Sequence, residues 1–216
     1  MDQQAYDLIF AMPPDVDYAS LPRDLGIEDI PWERVPGLTA LMRGNDSYVA
    51  LEAAMVLCSW GNEDGFEYLY DLVCNKPPLS SNWMPHRLRG YDDTYKQVLD
   101  SFISYWAKAA TNDSEKRTSG EGDKARKKIF TPVARIFYLS TQMQFGIEYF
   151  FWLITDQGFT EYIPPLKAHL LAIIKNPKFH HWKVADCAHL LMKFDPEFVT
   201  KTLAAHGYTL ADFPNK

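Results

Sequence analysis

The stretch Asp46 to Val73, DSYVALEAAMVLCSWGNEDGFEYLYDLV, decides the fold. Val49, Ala53, Val56, Leu57 and Trp60 recur at helical spacing and give a first helix one apolar face. Ala53 and Ala54 are small enough to let another helix come close. Gly61 and Asn62 mark a turn, and Phe66, Leu69, Leu72 and Val73 then make the apolar face of a second helix. A pair of such helices cannot bury both faces alone, so stacked neighbours are required.

Working outward, helical periodicity dominates and strand alternation is nearly absent. The pattern predicts about ten helices, near 3–12, 31–43, 47–60, 64–75, 92–110, 124–140, 142–157, 160–175, 181–193 and 196–206. Their ends carry suitable punctuation. Asp195 before Pro196 supplies a capping acceptor and then a residue with no N–H to satisfy. Asp64 with Glu67 reads as a capping box, Thr160 as a cap, and Gly44, Gly61, Gly158 and Gly207 stand where helices stop.

The segment resembles a HEAT repeat, or the closely similar short repeats of bilin-lyase type. The residues that carry the resemblance are Val49, Ala53, Ala54, Leu57, Gly61, Asn62, Phe66 and Leu69. Ala50 stands where the family usually has arginine, so the usual buried arginine pairing cannot form there. Weaker echoes are VPGL at Val35 to Leu38, IPPL at Ile163 to Leu166, and WKVADCAHLLMKFDP at 182–196, where Lys183 takes the arginine position and Asp195 the turn. Residues 76–140 fit poorly because of Pro77, Pro78, Pro85 and a polar stretch. The resemblance implies an all-α fold, a HEAT-like α-solenoid of antiparallel helix pairs. A compact irregular helical bundle is the alternative.

At 216 residues and 47% hydrophobic content, the chain can bury a sizeable core and reads as a single domain over 1–216. The polar stretch near 111–125 is expected as an inserted loop. No apolar run approaches a bilayer span, and MDQQAYDLIFAMPPD lacks the features of a secretory leader, so a cytoplasmic protein without membrane association is expected. Cys58, Cys74 and Cys187 show no close pairing or metal-type spacing, which favours reduced thiols.

Charge is polarised along the chain. Residues 1–75 hold 14 acidic residues against Arg23, Arg34 and Arg43, a net charge of −11, whereas residues 76–216 hold 14 acidic and 19 basic residues, a net charge of +5. Such an acidic first third disfavours nucleic acid there and favours a basic protein partner. Lys116, Arg117, Lys124, Arg126, Lys127 and Lys128 form a basic stretch, but Glu115, Glu121 and Asp123 interrupt it and no aromatics interleave.

Catalytic groupings are absent from the sequence: there is no phosphate-cradling glycine loop, no HExxH and no GxSxG. His180 and His181 are adjacent, so they point to different sides of a helix and do not make a metal pair; adding His189 or His169 gives a conceivable cluster, but no acidic or thiolate ligand spacing supports it. No enzymatic activity, no cofactor and no metal are expected.

Glu63, Glu67 and Asp71 recur every four residues, which stacks three like charges on one helix face at a cost of about 0.2–0.5 kcal/mol per neighbouring pair. A basic partner would offset that cost, and a solvated face is the plainer alternative. In a stack of helix pairs the second helices line the concave surface, which would carry Glu63, Glu67, Tyr70 and Asp71, with Glu33 and Arg34 from the helix bearing VPGL. Tyr48, Tyr70, Trp83 and Tyr95 are candidate outward anchors, while YFFW at 149–152 and ISYW at 103–106 are expected inside.

Small helical-repeat proteins with an acidic face resemble the immunity proteins that bacteria make against delivered toxins, many of them basic nucleases. That resemblance implies a module that occludes a basic toxin domain. A scaffold subunit of a larger assembly and a HEAT-like DNA glycosylase are the alternatives.

Overall fold

In the computed structural model, residues 1–79, 83–86, 90–116 and 120–214 are described. Among them the protein is all-helical, with one isolated bridge between Pro85 and Asp92 and no strand. The helices are α1 (Gln3–Phe10), α2 (Val35–Met42), α3 (Ser47–Ser59), α4 (Glu63–Cys74), α5 (Thr94–Lys116), α6 (Glu121–Ser140), α7 (Phe151–Thr155), α8 (Ile163–Ile173), α9 (Pro177–Met192) and α10 (Pro196–Ala205), with short 3-10 turns before α2, α7 and α8 and after α10. No helix among the described residues is long and apolar enough to cross a membrane.

The chain divides into two compact units. The first is Met1–Trp83 with Gln97–Val133, and the second is Met84–Lys96 with Ala134–Lys216. The expected loop at 111–125 overlaps two helices, since α5 runs to Lys116 and α6 begins at Glu121, and residues 117–119 lie outside the described residues. Asp113 explains part of this, because its carboxylate accepts from the backbone N–H groups of Gly120 and Gly122 and so fastens the start of α6.

The first unit is built around α3. Asp46 caps it by accepting from the N–H groups of Tyr48 and Val49, and every residue from Val49 to Ser59 is buried. It packs on α1, α2, α4 and the turn Pro22–Asp24, so burial extends well beyond the single apolar face expected from its sequence and takes in the polar Glu52 and Ser59. Gly61, at φ +80°, ends the helix, and Asn62 caps α4 by accepting from the N–H of Gly65. Asp64 is therefore not the cap; it is the second residue of the helix and pairs with Arg43 at 3.1 Å. Gly65 of α4 lies tight against α3: a Cβ there would stand 2.5 Å from the backbone nitrogen of Cys58, 2.6 Å from the Cβ of Leu57 and 2.9 Å from the carbonyl oxygen of Ala54.

In the second unit, Phe137, Phe150, Phe159 and Tyr162 form an aromatic core with α8 and α9 packed together nearby in sequence. The helix expected at 142–157 is reduced to a 3-10 turn, Glu148–Phe150, and α7, while the one expected at 181–193 starts earlier, at Pro177, and kinks at His180 (φ −116°, ψ 19°). Asp195 does cap α10, accepting from the N–H of Phe198 at 3.0 Å, and also pairs with Lys167. Thr160, read as a cap, makes no such bond.

Aromatic placement departs from expectation in both directions. Tyr95 is buried, and Tyr48, Tyr70 and Trp83 are half-buried rather than exposed anchors. In YFFW, Phe150 is fully buried but Tyr149 and Trp152, three residues apart on the other face, are exposed. All three cysteines are free thiols, with Cys58 and Cys187 buried.

Candidate functional site

The α4 stripe exists, but it is already partnered. Lys128 of α6 reaches Glu63 in a short ion pair and Glu67 at 3.2 Å, and its ammonium lies 4.3 Å from the centre of the Phe66 ring. The hydroxyl of Tyr105, from α5, donates to Glu63 at 2.9 Å. Burial pushes the Glu63 carboxyl up, yet the hydrogen bonds from Lys128 and Tyr105 outweigh it and hold the group below its ordinary value. Burial, with Glu63 close by, pushes the Tyr105 phenol the other way, up. The offset that the sequence assigned to a partner thus comes partly from within: Lys128, read as part of a basic stretch, turns onto the acids.

The remaining residues of the expected site are separate. Asp71 accepts from Asn75 and pairs with Lys76 at 3.0 Å, and these two contacts hold its carboxyl low. The Tyr70 ring lies 6.2 Å from that of Phe66, tilted by 32°, and the residue is half-buried. Glu33 is exposed on the 3-10 turn Trp32–Arg34, and no hydrogen bond or ion pair among the described residues joins it to α4. Glu63 and Glu67 share Lys128; Asp71, one turn further along α4, pairs with Lys76 instead, and Glu33 is not joined to them. Arg34 is engaged with the carbonyl of Ala11. Within the basic stretch, Lys124 pairs with Glu121 at 2.7 Å; the Lys116 side chain and Arg117 lie outside the described residues.

Beside the stripe, still in the first unit, lies a cleft of about 690 Å³ whose lining includes Glu28, Trp32, Trp60, Tyr105, Lys108 and Asn112. Tyr105 belongs to both features. Trp60 is buried and pinned by its indole N–H to the carbonyl of Pro22 at 2.7 Å, which fixes one wall. Gly61 lines the cleft beside Lys108, and a Cβ at Gly61 would make an ordinary contact of 3.5 Å with the Lys108 Cβ. The Lys108 ammonium donates to the carbonyl of Leu25, and burial lowers its basicity. Trp32 stands 51% exposed at the cleft, and Glu28 is exposed. The sequence concealed this cleft because Trp32 lay within a stretch expected to be helical throughout, whereas Pro31 starts a separate 3-10 turn there.

Among the described residues, no group of three His, Cys, Asp or Glu side chains is placed to hold a metal ion. No protein-family model matches the sequence, and neither a curated protein nor a solved structure matches it.

Proposed function

We propose that the chain is a protein-binding helical-repeat module that neutralises a basic protein, in the manner of an immunity protein occluding the active site of a toxin domain. The observation that carries this reading is the concentration of acidity in one unit. The first unit holds 19 acidic and 11 basic residues, a net charge of −8, and the second holds 9 acidic and 11 basic, a net charge of +2. An acidic docking surface of this kind accelerates encounter with a cationic cleft and repels nucleic acid and other acidic surfaces.

In this reading the docking surface is centred on Glu63 and Glu67 with the neighbouring cleft, and extends to Tyr70, Asp71 and Glu33. Lys128 supports it in a particular way: the α4 carboxylates accept an ammonium at close range, so a cation arriving from a partner meets groups already arranged for one. Further stacking of the helix pairs into a solenoid belongs to the same proposal.

The test is affinity capture at low and high salt, with identification of the captured protein, repeated with Glu63, Glu67 and Asp71 changed to lysine. The expected result is one basic protein, retained at low salt and lost both at high salt and in the reversal variant. Capture that is indifferent to the reversal overturns the placement of the surface, and an acidic or nucleic-acid partner overturns the function.

A further inference from the structure

We propose that the cleft bounded by Trp32, Glu28 and α5 receives an arginine side chain of the basic partner. This rests on the function proposed above and names the chemistry that the cleft selects. The lining combines three kinds of surface. Ile27, Ala109 and the exposed face of Trp32 are apolar and suit a methylene stem; the Trp32 ring is a planar electron-rich face that suits a flat cation. Glu28 and Asn112 supply acceptors: among the described residues, neither the Glu28 carboxylate nor the Asn112 amide makes a hydrogen bond or an ion pair.

Guanidinium fits that set better than ammonium does. It is planar, stacks on indole, and meets a carboxylate with two parallel N–H bonds, whereas ammonium is a compact and strongly hydrated point charge. Lys108 is the one cation in the described lining, and it does not fill this role itself, because its ammonium is committed to the carbonyl of Leu25. Glu28 and Glu121 both line the cleft, so acidic side chains outnumber Lys108 there. An anionic or wholly apolar occupant would leave Glu28 buried against it without compensation. At about 690 Å³ the cleft has room for the side chain and part of the backbone that carries it.

The test uses the full chain and small probes in place of the partner. Nα-acetyl-arginine methylamide, its lysine analogue and its neutral citrulline analogue are titrated while the Trp32 indole resonance is followed, assigned by its loss in Trp32→Phe. The expected result is a saturable shift with the arginine probe in the millimolar range. The citrulline and lysine analogues should bind roughly tenfold more weakly, and Glu28→Gln should weaken the arginine probe severalfold. No saturable shift, equal binding of citrulline, or indifference to Glu28→Gln overturns the proposal. The two proposals fail separately. Arginine binding in the cleft without any basic partner in affinity capture sinks the function and leaves the site. A captured basic partner whose binding is unchanged by Glu28→Gln and Trp32→Phe sinks the site and leaves the function.

Discussion

The ammonium of Lys183 donates a 2.7 Å hydrogen bond to the carbonyl oxygen of Ser140, the last residue of α6. It also reaches the carbonyl of Met143, so one buried cation satisfies two acceptors at a helix end where the helix itself offers no donor. His169 serves the same helix end one turn earlier, with Nδ1 bonded to the carbonyl of Phe137 at 2.9 Å. The α6 terminus in the second unit is therefore held by side chains of α8 and α9, and two of those side chains titrate.

Lys183 makes stability depend on alkaline pH. Burial lowers its pKa to about 7, against about 10.4 for an unfolded lysine. Below pH 7 both states carry the proton and the burial cost is present in full. Between about 7 and 10 the folded state releases a proton that the unfolded state keeps, so stability rises with pH. Lys183→Met should flatten that rise and also cost roughly 1–3 kcal/mol near neutrality, because two buried carbonyls lose their donor. Urea unfolding at pH 6 and pH 9 measures both effects, with Lys178→Met, at an exposed position, as the control. An unaltered slope in Lys183→Met would show that the ammonium is not the titrating group.

His169 makes the complementary prediction on the acid side. A carbonyl only accepts, so Nδ1 carries the proton of the neutral ring, and Nε2 is left as a buried acceptor with no hydrogen-bond partner among the described residues. Burial lowers the pKa to about 4, against about 6.5 when unfolded. The neutral ring's contribution is present above about pH 6.5 and disappears as pH falls toward 4, where the unfolded state takes up the proton first. His180, whose pKa burial also lowers to about 4, acts in the same direction. His169→Asn keeps a donor for the Phe137 carbonyl but cannot titrate, and should therefore unfold at a lower pH than the parent in an acid titration followed by circular dichroism. Identical acid midpoints would refute this.

Gly65 supplies a packing prediction in the first unit. The Cβ of an alanine there would overlap the backbone of Cys58 and the Cβ of Leu57, neither of which is the loose end of a flexible side chain. Gly65→Ala should cost about 1–3 kcal/mol from overpacking. Gly158 gives the comparison: at φ +69°, with nothing within 4 Å of its would-be Cβ, it carries only the backbone penalty of about 1–2 kcal/mol. Similar small losses in both variants would mean that α3 and α4 separate readily, contrary to their tight approach.

These residues also mark how far the sequence was legible. Period-3.6 patterning located nearly all the helices because burial of an apolar face is a local signal, and Asp195 announced its own cap. Gly65 was invisible as a contact, since nothing in the sequence says which turn of α4 meets α3. Lys183 appeared as the counterpart of a repeat arginine, but its acceptors, Ser140 and Met143, lie some forty residues away and no local pattern names them. The candidate site shows the same division. The acidic stripe on α4 could be read from spacing alone, whereas its neutralisation by Lys128 depends on a contact across more than sixty residues, and the cleft depends on where Trp32 leaves the helical path.

Lys128 allows the stripe itself to be interrogated. Replacing it with methionine keeps an apolar stem over Phe66 but leaves Glu63 and Glu67 without their shared cation. Both carboxylates are more than half exposed, so the stability loss should stay below about 1 kcal/mol. The sharper readout is the Glu63 carboxyl, followed by carbon-detected NMR through an acid titration. With Lys128 present, its depressed pKa adds stability above the unfolded value near 4.3, and that stability fades as pH falls through the folded one. In Lys128→Met the Glu63 titration should move upward, because burial, which raises it, is then no longer opposed by the ammonium, while Tyr105 continues to donate to it. A basic partner should then associate faster with this variant than with the parent at low salt, because the acids are no longer half-satisfied from within. Slower association, with the Glu63 titration shifted as expected, would mean that Lys128 presents the carboxylates to a partner rather than competing for them.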